Sequence, residues 1–143
     1  MKVREIMTEN PAVCLTTTSL QETARMIHDY DCGCIPVIQD NDSKKPIGMI
    51  TDRDITIRTV AHGKNPLEMT AGEIMSEQVI TVTPETSVEE CGNLMKENQI
   101  RRVAVIDKNG ACCGMVAQAD IAIHASEDTT GEVVQEVSKG AGN

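Results

Sequence analysis

Thr51 and Asp54 stand three residues apart where an apolar run over 47–51 gives way to a polar, helix-forming one. A hydroxyl ending a strand, the first amides of a helix and a carboxylate in its first turn then share one small volume. Amides at a helix start favour anions, so a phosphate fits beside Thr51. A carboxylate accepts from two hydroxyls at once, so Asp54 suits a vicinal diol such as that of a ribose. Thr and Asp also cap helices, and a cap alone accounts for both residue types. Spacing leaves the two readings open.

Little else in the chain could do chemistry. There is no G-x-x-x-x-G-K, G-x-G-x-x-G or H-E-x-x-H motif. His28, His62 and His124 fall on polar stretches on or just past helices and read as surface residues without ligating spacing. Cys14, Cys32, Cys34, Cys91, Cys112 and Cys113 include no C-x-x-C pair, the spacing of zinc ribbons and thioredoxin-like sites. Most lie in apolar stretches, where the thiol behaves as a small hydrophobe. Cys32 with Cys34, and Cys112 with Cys113, are the candidates for the alternative, a redox or metal switch. A hydrolytic triad has no support, although His28 stands near Cys32 and Cys34. The expectation is a non-enzyme with neither catalytic nor metal-binding residues.

Composition narrows the partners. Thirteen basic residues against 22 acidic ones leave a net charge of −9 over 143 residues. A duplex DNA binder needs a concentrated Lys/Arg face. Stacking on single strands needs aromatics, and Tyr30 is the only one. No apolar run approaches the ~18 residues of a membrane span, and Met1-Lys2-Val3-Arg4-Glu5 lacks a signal peptide's apolar stretch. The chain is expected to be soluble and cytoplasmic, its thiols reduced.

The chain repeats itself. Glu5-Ile6-Met7-Thr8-Glu9 matches Glu73-Ile74-Met75-Ser76-Glu77, and Thr18-Ser19-Leu20-Gln21-Glu22 matches Thr86-Ser87-Val88-Glu89-Glu90, both at an offset of 68. Beyond Val37-Ile38 and Val105-Ile106 the offset becomes 66, pairing Gly48-Met49 with Gly114-Met115 and Asp54-Ile55 with Asp120-Ile121. Ordered matches of this kind mark two similar units. They are set at residues 1–62 and 70–126, with a linker over 63–69 and an acidic, then Gly-rich tail over 127–143.

The elements that must position Thr51 and Asp54 follow one plan, β-α-β-β-α, twice. Short strands at 12–15 and 79–82 precede capping boxes of the form S-x-x-E, at Ser19 with Glu22 and Ser87 with Glu90. The helices, at 19–30 and 87–98, turn Leu20, Ala24 and Ile27, and Val88, Cys91 and Met95, to one face. Hairpins pair 35–39 with 47–51 and 103–107 with 111–117. Helices at 52–62 and 118–125 close each unit, the first stopped by Gly63. A three-stranded sheet helix-covered on one face leaves apolar surface, so the two units are expected to pack sheet to sheet with pseudo-twofold symmetry, an α+β fold. The tail is expected to fray, or to form one short helix around 132–137.

These residues resemble the CBS-domain pair, or Bateman module. The marks are Ile6-Met7-Thr8, Ile35-Pro36-Val37-Ile38 and Gly48-Met49-Ile50-Thr51-Asp52-Arg53-Asp54. The second copy has Ile74-Met75-Ser76, Val103-Ala104-Val105-Ile106-Asp107 and Gly114-Met115-Val116-Ala117-Gln118-Ala119-Asp120. The resemblance covers residues 3–125 and implies a stand-alone regulatory module. It would bind an adenosyl ligand (AMP, ADP, ATP or S-adenosylmethionine) in the inter-repeat clefts, pair into a homodimer and signal to an unidentified regulated protein. The nucleotide enters as a regulatory ligand, with no other cofactor. Carried over residue by residue, it assigns Thr51 and Asp54 to phosphate and ribose, and Arg101 and Arg102 to phosphate, with Arg53 following the same logic. Met49, Ile35 and Pro36 would line the adenine slot. In the second copy Asp120 remains but Ala117 replaces the hydroxyl, so that cleft is expected to be empty, weaker or fitted to a ligand with less phosphate. A purely structural dimerisation module is a further alternative.

Overall fold

The computed structural model describes residues 1–77 and 79–124; the tail expectations lie outside the described residues. In chain order the elements are β1 (Thr8–Glu9), β2 (Cys14–Leu15), α1 (Leu20–Asp29), β3 (Cys34–Ile38), β4 (Pro46–Thr51), α2 (Asp52–Arg58), α3 (Ala71–Ile74), β5 (Thr81–Val82), α4 (Val88–Asn98), β6 (Arg102–Ile106), β7 (Cys112–Ala117) and α5 (Gln118–His124). The chain is α+β with two sheets, ordered β2-β3-β4 and β1-β7-β6-β5.

Two compact units emerge, and they are not the two sequence repeats. One is Pro11–Val79 with Asn109–Cys112; the other joins Met1–Asn10 to Ile80–Lys108 and to the described residues from Cys113 to His124. The first ten residues therefore belong with the second repeat, and the opening of the second repeat, up to Val79, belongs with the first. The boundaries drawn at 1–62 and 70–126 follow the sequence repeat, whereas compactness follows burial.

In the unit built on the first repeat, β2 runs parallel to β3 and β3 antiparallel to β4, with Cys34 opposite Thr51 and Pro36 opposite Met49. All of β3 is buried, so it reads as an unbroken apolar run rather than an alternating one. Ser19 caps α1, accepting from the Glu22 N–H at 3.1 Å; the Leu20 N–H goes to the Met69 carbonyl at 2.9 Å. The inward face of α1 corrects the sequence reading. Leu20 and Thr23 are buried, while Ala24 is exposed. Thr23 can be buried because its hydroxyl donates to the Ser19 carbonyl.

The expected helix over 52–62 is likewise broken. It ends at Arg58, Thr59 leaves helical geometry, and a separate 3-10 turn over Val60–His62 ends at Gly63 with φ +71°. Cys14, Leu20, Ile35, Val37, Ile50, Ala71 and Ile74 form this unit's core. Main-chain bonds exchanged between Met49 and Ser76 hold the 71–76 segment against β4.

The other unit repeats the scheme. Ser87 caps α4 by accepting from the Glu90 N–H at 3.0 Å, and the Val88 N–H goes to the Met1 carbonyl at 2.9 Å. The α4 face is the expected one, with Val88, Cys91 and Met95 buried. Here the preceding segment forms a true strand, β1, antiparallel to β7 with Thr8 opposite Met115. The sheet therefore has four strands rather than three. Lys2 and Arg4 both reach Glu85, at 2.6 and 2.9 Å, fastening the N-terminal segment. Val3 and Ile6 join Val82, Cys91, Met95, Val105, Val116 and Ile121 in the second core.

Candidate functional site

The turn from β4 into α2 brings Thr51 and Asp54 together. Thr51 is the N-cap, with extended backbone, and the two residues form a reciprocal box. The Asp54 N–H donates to Thr51 Oγ1 at 3.0 Å, and the Thr51 N–H donates to Asp54 Oδ2 at 3.0 Å. Both side chains are half-buried. The box consumes one carboxylate oxygen and one lone pair of the hydroxyl. Asp54 Oδ1 lies outside it, and Thr51 Oγ1 serves there as acceptor, so its own proton is not spent on the box. The cap and the ligand roles are therefore compatible in one geometry, because they use different atoms.

The turn from β7 into α5 is its counterpart. The Ala117 N–H donates to Asp120 Oδ2 at 2.7 Å, so the carboxylate half of the box survives where the hydroxyl half is missing. The Gln118 N–H donates to the Arg101 carbonyl at 2.8 Å. Arg101, exposed, and Arg102, half-buried, thus stand beside this corner. At the Thr51 corner the equivalent bond runs from the Asp52 N–H to the Gly33 carbonyl at 3.4 Å. Thr51 with Asp54 and Arg101 with Arg102 belong to different compact units.

The remaining candidates divide. Met49 is half-buried on β4, with its Sδ accepting from the Cys34 thiol at 3.5 Å. Pro36, opposite Met49, is buried. Ile35, expected to line a ligand slot, is instead fully enclosed, packed in the core with Val37 and Ile50. Arg53 is exposed, its N–H donating to the Asp52 carboxylate at 2.8 Å. An open hollow of about 420 Å³ lies elsewhere, along α1, lined by Ser19, Gln21, Glu22, Arg25, Met26 and Asp29.

Arg58 is the residue the sequence reading missed. Its Nε lies 3.9 Å from Asp54 Oδ1, and its Nη1 donates to the Ile74 carbonyl at 2.8 Å. The i,i+4 spacing from Asp54 was a usable signal for the ion pair; nothing local signals the carbonyl sixteen residues on.

All six cysteines are thiols. Burial pushes Cys14 and Cys91 up to about 11, and burial followed by the nearby Asp107 raises Cys113. A reactive thiolate needs the opposite shift. Among the described residues no group of three or more His, Cys, Asp or Glu side chains is placed to hold a metal ion. No helix among them is long and apolar enough to cross a membrane.

Residues 3–58 and 71–127 each match the CBS domain. The chain belongs to the CBS-domain family and carries two copies, the pair that forms a regulatory module. It is 37% identical over 118 residues to an uncharacterized protein of Methanopyrus kandleri, covering 82% of this chain and 57% of that protein's length. It is 33% identical to the CBS domain-containing protein YhcV of Bacillus subtilis, over 95% of this chain and 94% of that one. Among solved structures, Hypoxic Response Protein I with two coordinated zinc ions shares 34% identity at a TM-score of 0.77, covering 88% of this chain and 100% of the other. The CBS domain pair of protein MJ0100, in complex with 5′-methylthioadenosine and S-adenosyl-L-methionine, shares 26% identity at a TM-score of 0.76, over 86% of this chain and 98% of that one.

Proposed function

We propose that this CBS-domain pair is a regulatory module that binds an adenosyl ligand, a nucleotide or S-adenosylmethionine, and reports its occupancy to a separate protein. One observation carries the reading: the Thr51–Asp54 box uses neither Asp54 Oδ1 nor the Thr51 hydroxyl proton, both on half-buried residues of one turn. A ribose diol donates to that carboxylate oxygen, and a phosphate oxygen accepts from the hydroxyl. The adenosyl ligands named for the MJ0100 pair support the same ligand class. The phosphate partners in this reading are Arg53 beside Thr51 in one unit, and Arg101 with Arg102 beside the Asp120 corner in the other, each through the planar fork of the guanidinium. Met49 and Pro36 face the base, with Ile35 behind them, and Asp120 offers a weaker second position.

The module acts in the cytoplasm as a homodimer. Ile57 and Val60 are 40% and 61% exposed on one unit, and Ile123 is 74% exposed on the other, which is apolar surface that association would cover. A regulated partner responds only to a ligand that binds its two states with different affinity.

Thermal shift against AMP, ADP, ATP and S-adenosylmethionine, with and without a reductant, tests the reading. Saturable stabilisation by at least one of them, independent of the reductant, is the expected result. A melting temperature that responds to reductant or chelator but to no adenosyl ligand points instead to the cysteine switch. Indifference to all of them leaves a structural dimerisation module.

A further inference from the structure

The guanidinium of Arg58, the last residue of α2, is shared between two partners. One is Asp54 Oδ1, 3.9 Å from Nε. The other is the Ile74 carbonyl, which accepts from Nη1 at 2.8 Å. Ile74 ends α3, where a helix leaves its last carbonyls without an intrahelical donor. Its side chain is fixed in the core beside Ile35 and Ile50, and two residues later Ser76 exchanges main-chain bonds with Met49. One rigid fork therefore touches the candidate carboxylate and the opening segment of the second repeat. The second repeat has His124 at the position of Arg58, and an imidazole has no such fork.

We propose that Arg58 is a positioning residue that ties the Asp54 carboxylate to the 71–76 segment. The capping box holds Oδ2, Arg58 steadies the Oδ1 side, and the same guanidinium anchors the end of α3. The functional meaning rests on Asp54 as the ligand carboxylate. Whatever engages Oδ1 then changes how firmly Ile74 is held, and by reciprocity the state of that segment changes the affinity at Oδ1.

Amide hydrogen exchange at residues 73–76 of the full chain, without any ligand, reads the link in wild type, Asp54→Asn, Arg58→Met and the double variant. Asparagine keeps the cap's acceptor oxygen and removes the charge. Arg58→Met is expected to speed exchange about tenfold, since it removes a hydrogen bond from a charged donor. Asp54→Asn is expected to speed it about twofold, the scale of a part-exposed i,i+4 pair, and to add nothing once Arg58 is methionine. An Asp54→Asn effect that is absent, or equally large in both backgrounds, overturns the link. Calorimetric titration with adenosine is the second arm, in which Arg58→Met should weaken binding about two- to fivefold. Unchanged affinity would deny Arg58 its positioning role. A wild-type chain that binds neither adenosine, nor any of the nucleotides, nor S-adenosylmethionine overturns the proposed function, while the ligand-free exchange cycle still decides the link.

Discussion

Met75 lies over Gly48 so closely that a Cβ at Gly48 would sit 2.5 Å from the Met75 sulfur and 3.0 Å from the Ser76 carbonyl oxygen. The second repeat does the same with Met7 over Gly114, at 2.6 Å from sulfur to the added Cβ. The Ile-Met-Thr/Ser and Gly-Met motifs are thus one contact seen from both sides. The methionine fits only because the glycine lacks a side chain. In each case the methionine is contributed by the opening segment of the opposite repeat.

Gly48→Ala should therefore destabilise the chain by about 1–3 kcal/mol, the usual cost of overpacking. The loss should shrink when Met75 is also changed to alanine. Urea denaturation of the two single variants and the double variant gives the coupling. Additive losses would mean that the methionine does not impose the glycine.

Ligand binding should distinguish the two carboxylates. Asp54→Asn keeps the helix cap but removes the charge offered to a diol. It should weaken an adenosyl ligand roughly ten- to hundredfold, the scale of a hydrogen bond to a charged group. Asp120→Asn should change the main binding event much less, because Ala117 supplies no hydroxyl there. Calorimetry that reverses this order reassigns the site to the second repeat.

Arg102→Ala should weaken ATP and ADP more than adenosine, since only the phosphates use the fork. Equal losses for all three ligands would make Arg102 a structural residue at the start of β6.

The thiols set a pH limit. Burial pushes the Cys14 and Cys91 thiols up to about 11 in the folded chain, from an ordinary value of 9.0. The folded state then holds its protons more tightly, so stability is full below the unfolded value and falls as pH rises towards 11. Each thiol should contribute a loss of about 2 kcal/mol between pH 8 and pH 11. Denaturation midpoints measured from pH 8 to pH 11 in wild type and in Cys91→Ala give the comparison, with the variant losing less. At neutral pH, denatured protein should label six thiols, and the native protein should leave Cys14 and Cys91 unlabelled.

Sedimentation at tens of micromolar protein should show a species twice the 15.5 kDa chain. Val60→Asp should shift it towards the monomer by charging an exposed apolar position. A wild-type monomer at that concentration counts against the dimer.

Much of this protein is written locally. Helix starts at Ser19 and Ser87 and the meeting of Thr51 with Asp54 depend on neighbours three residues away, and the strands of the β3–β4 hairpin on partners eight to seventeen residues away across one polar turn. Backbone geometry converts such spacings directly into contacts. The offset of 68 showed that each local device occurs twice. Even the loss of the hydroxyl at Ala117 was legible, because the surviving Asp120–Ala117 bond spans the same short interval.

Tertiary structure decided what each repeat could not finish alone. A three-stranded sheet with one helical layer leaves an uncovered edge, and the chain covers it with whatever apolar segment can reach. Val3 and Ile6 therefore complete the core around Val105, and Ala71 and Ile74 complete the core around Ile35. The compact units cross the repeat boundary as a result. Thr23 displaced Ala24 from the inner face of α1 because a hydroxyl bonded to its own helix is cheap to bury. Arg58 found the Ile74 carbonyl for the converse reason: a buried helix end needs a donor, and the partner that supplies it is fixed by packing rather than by spacing.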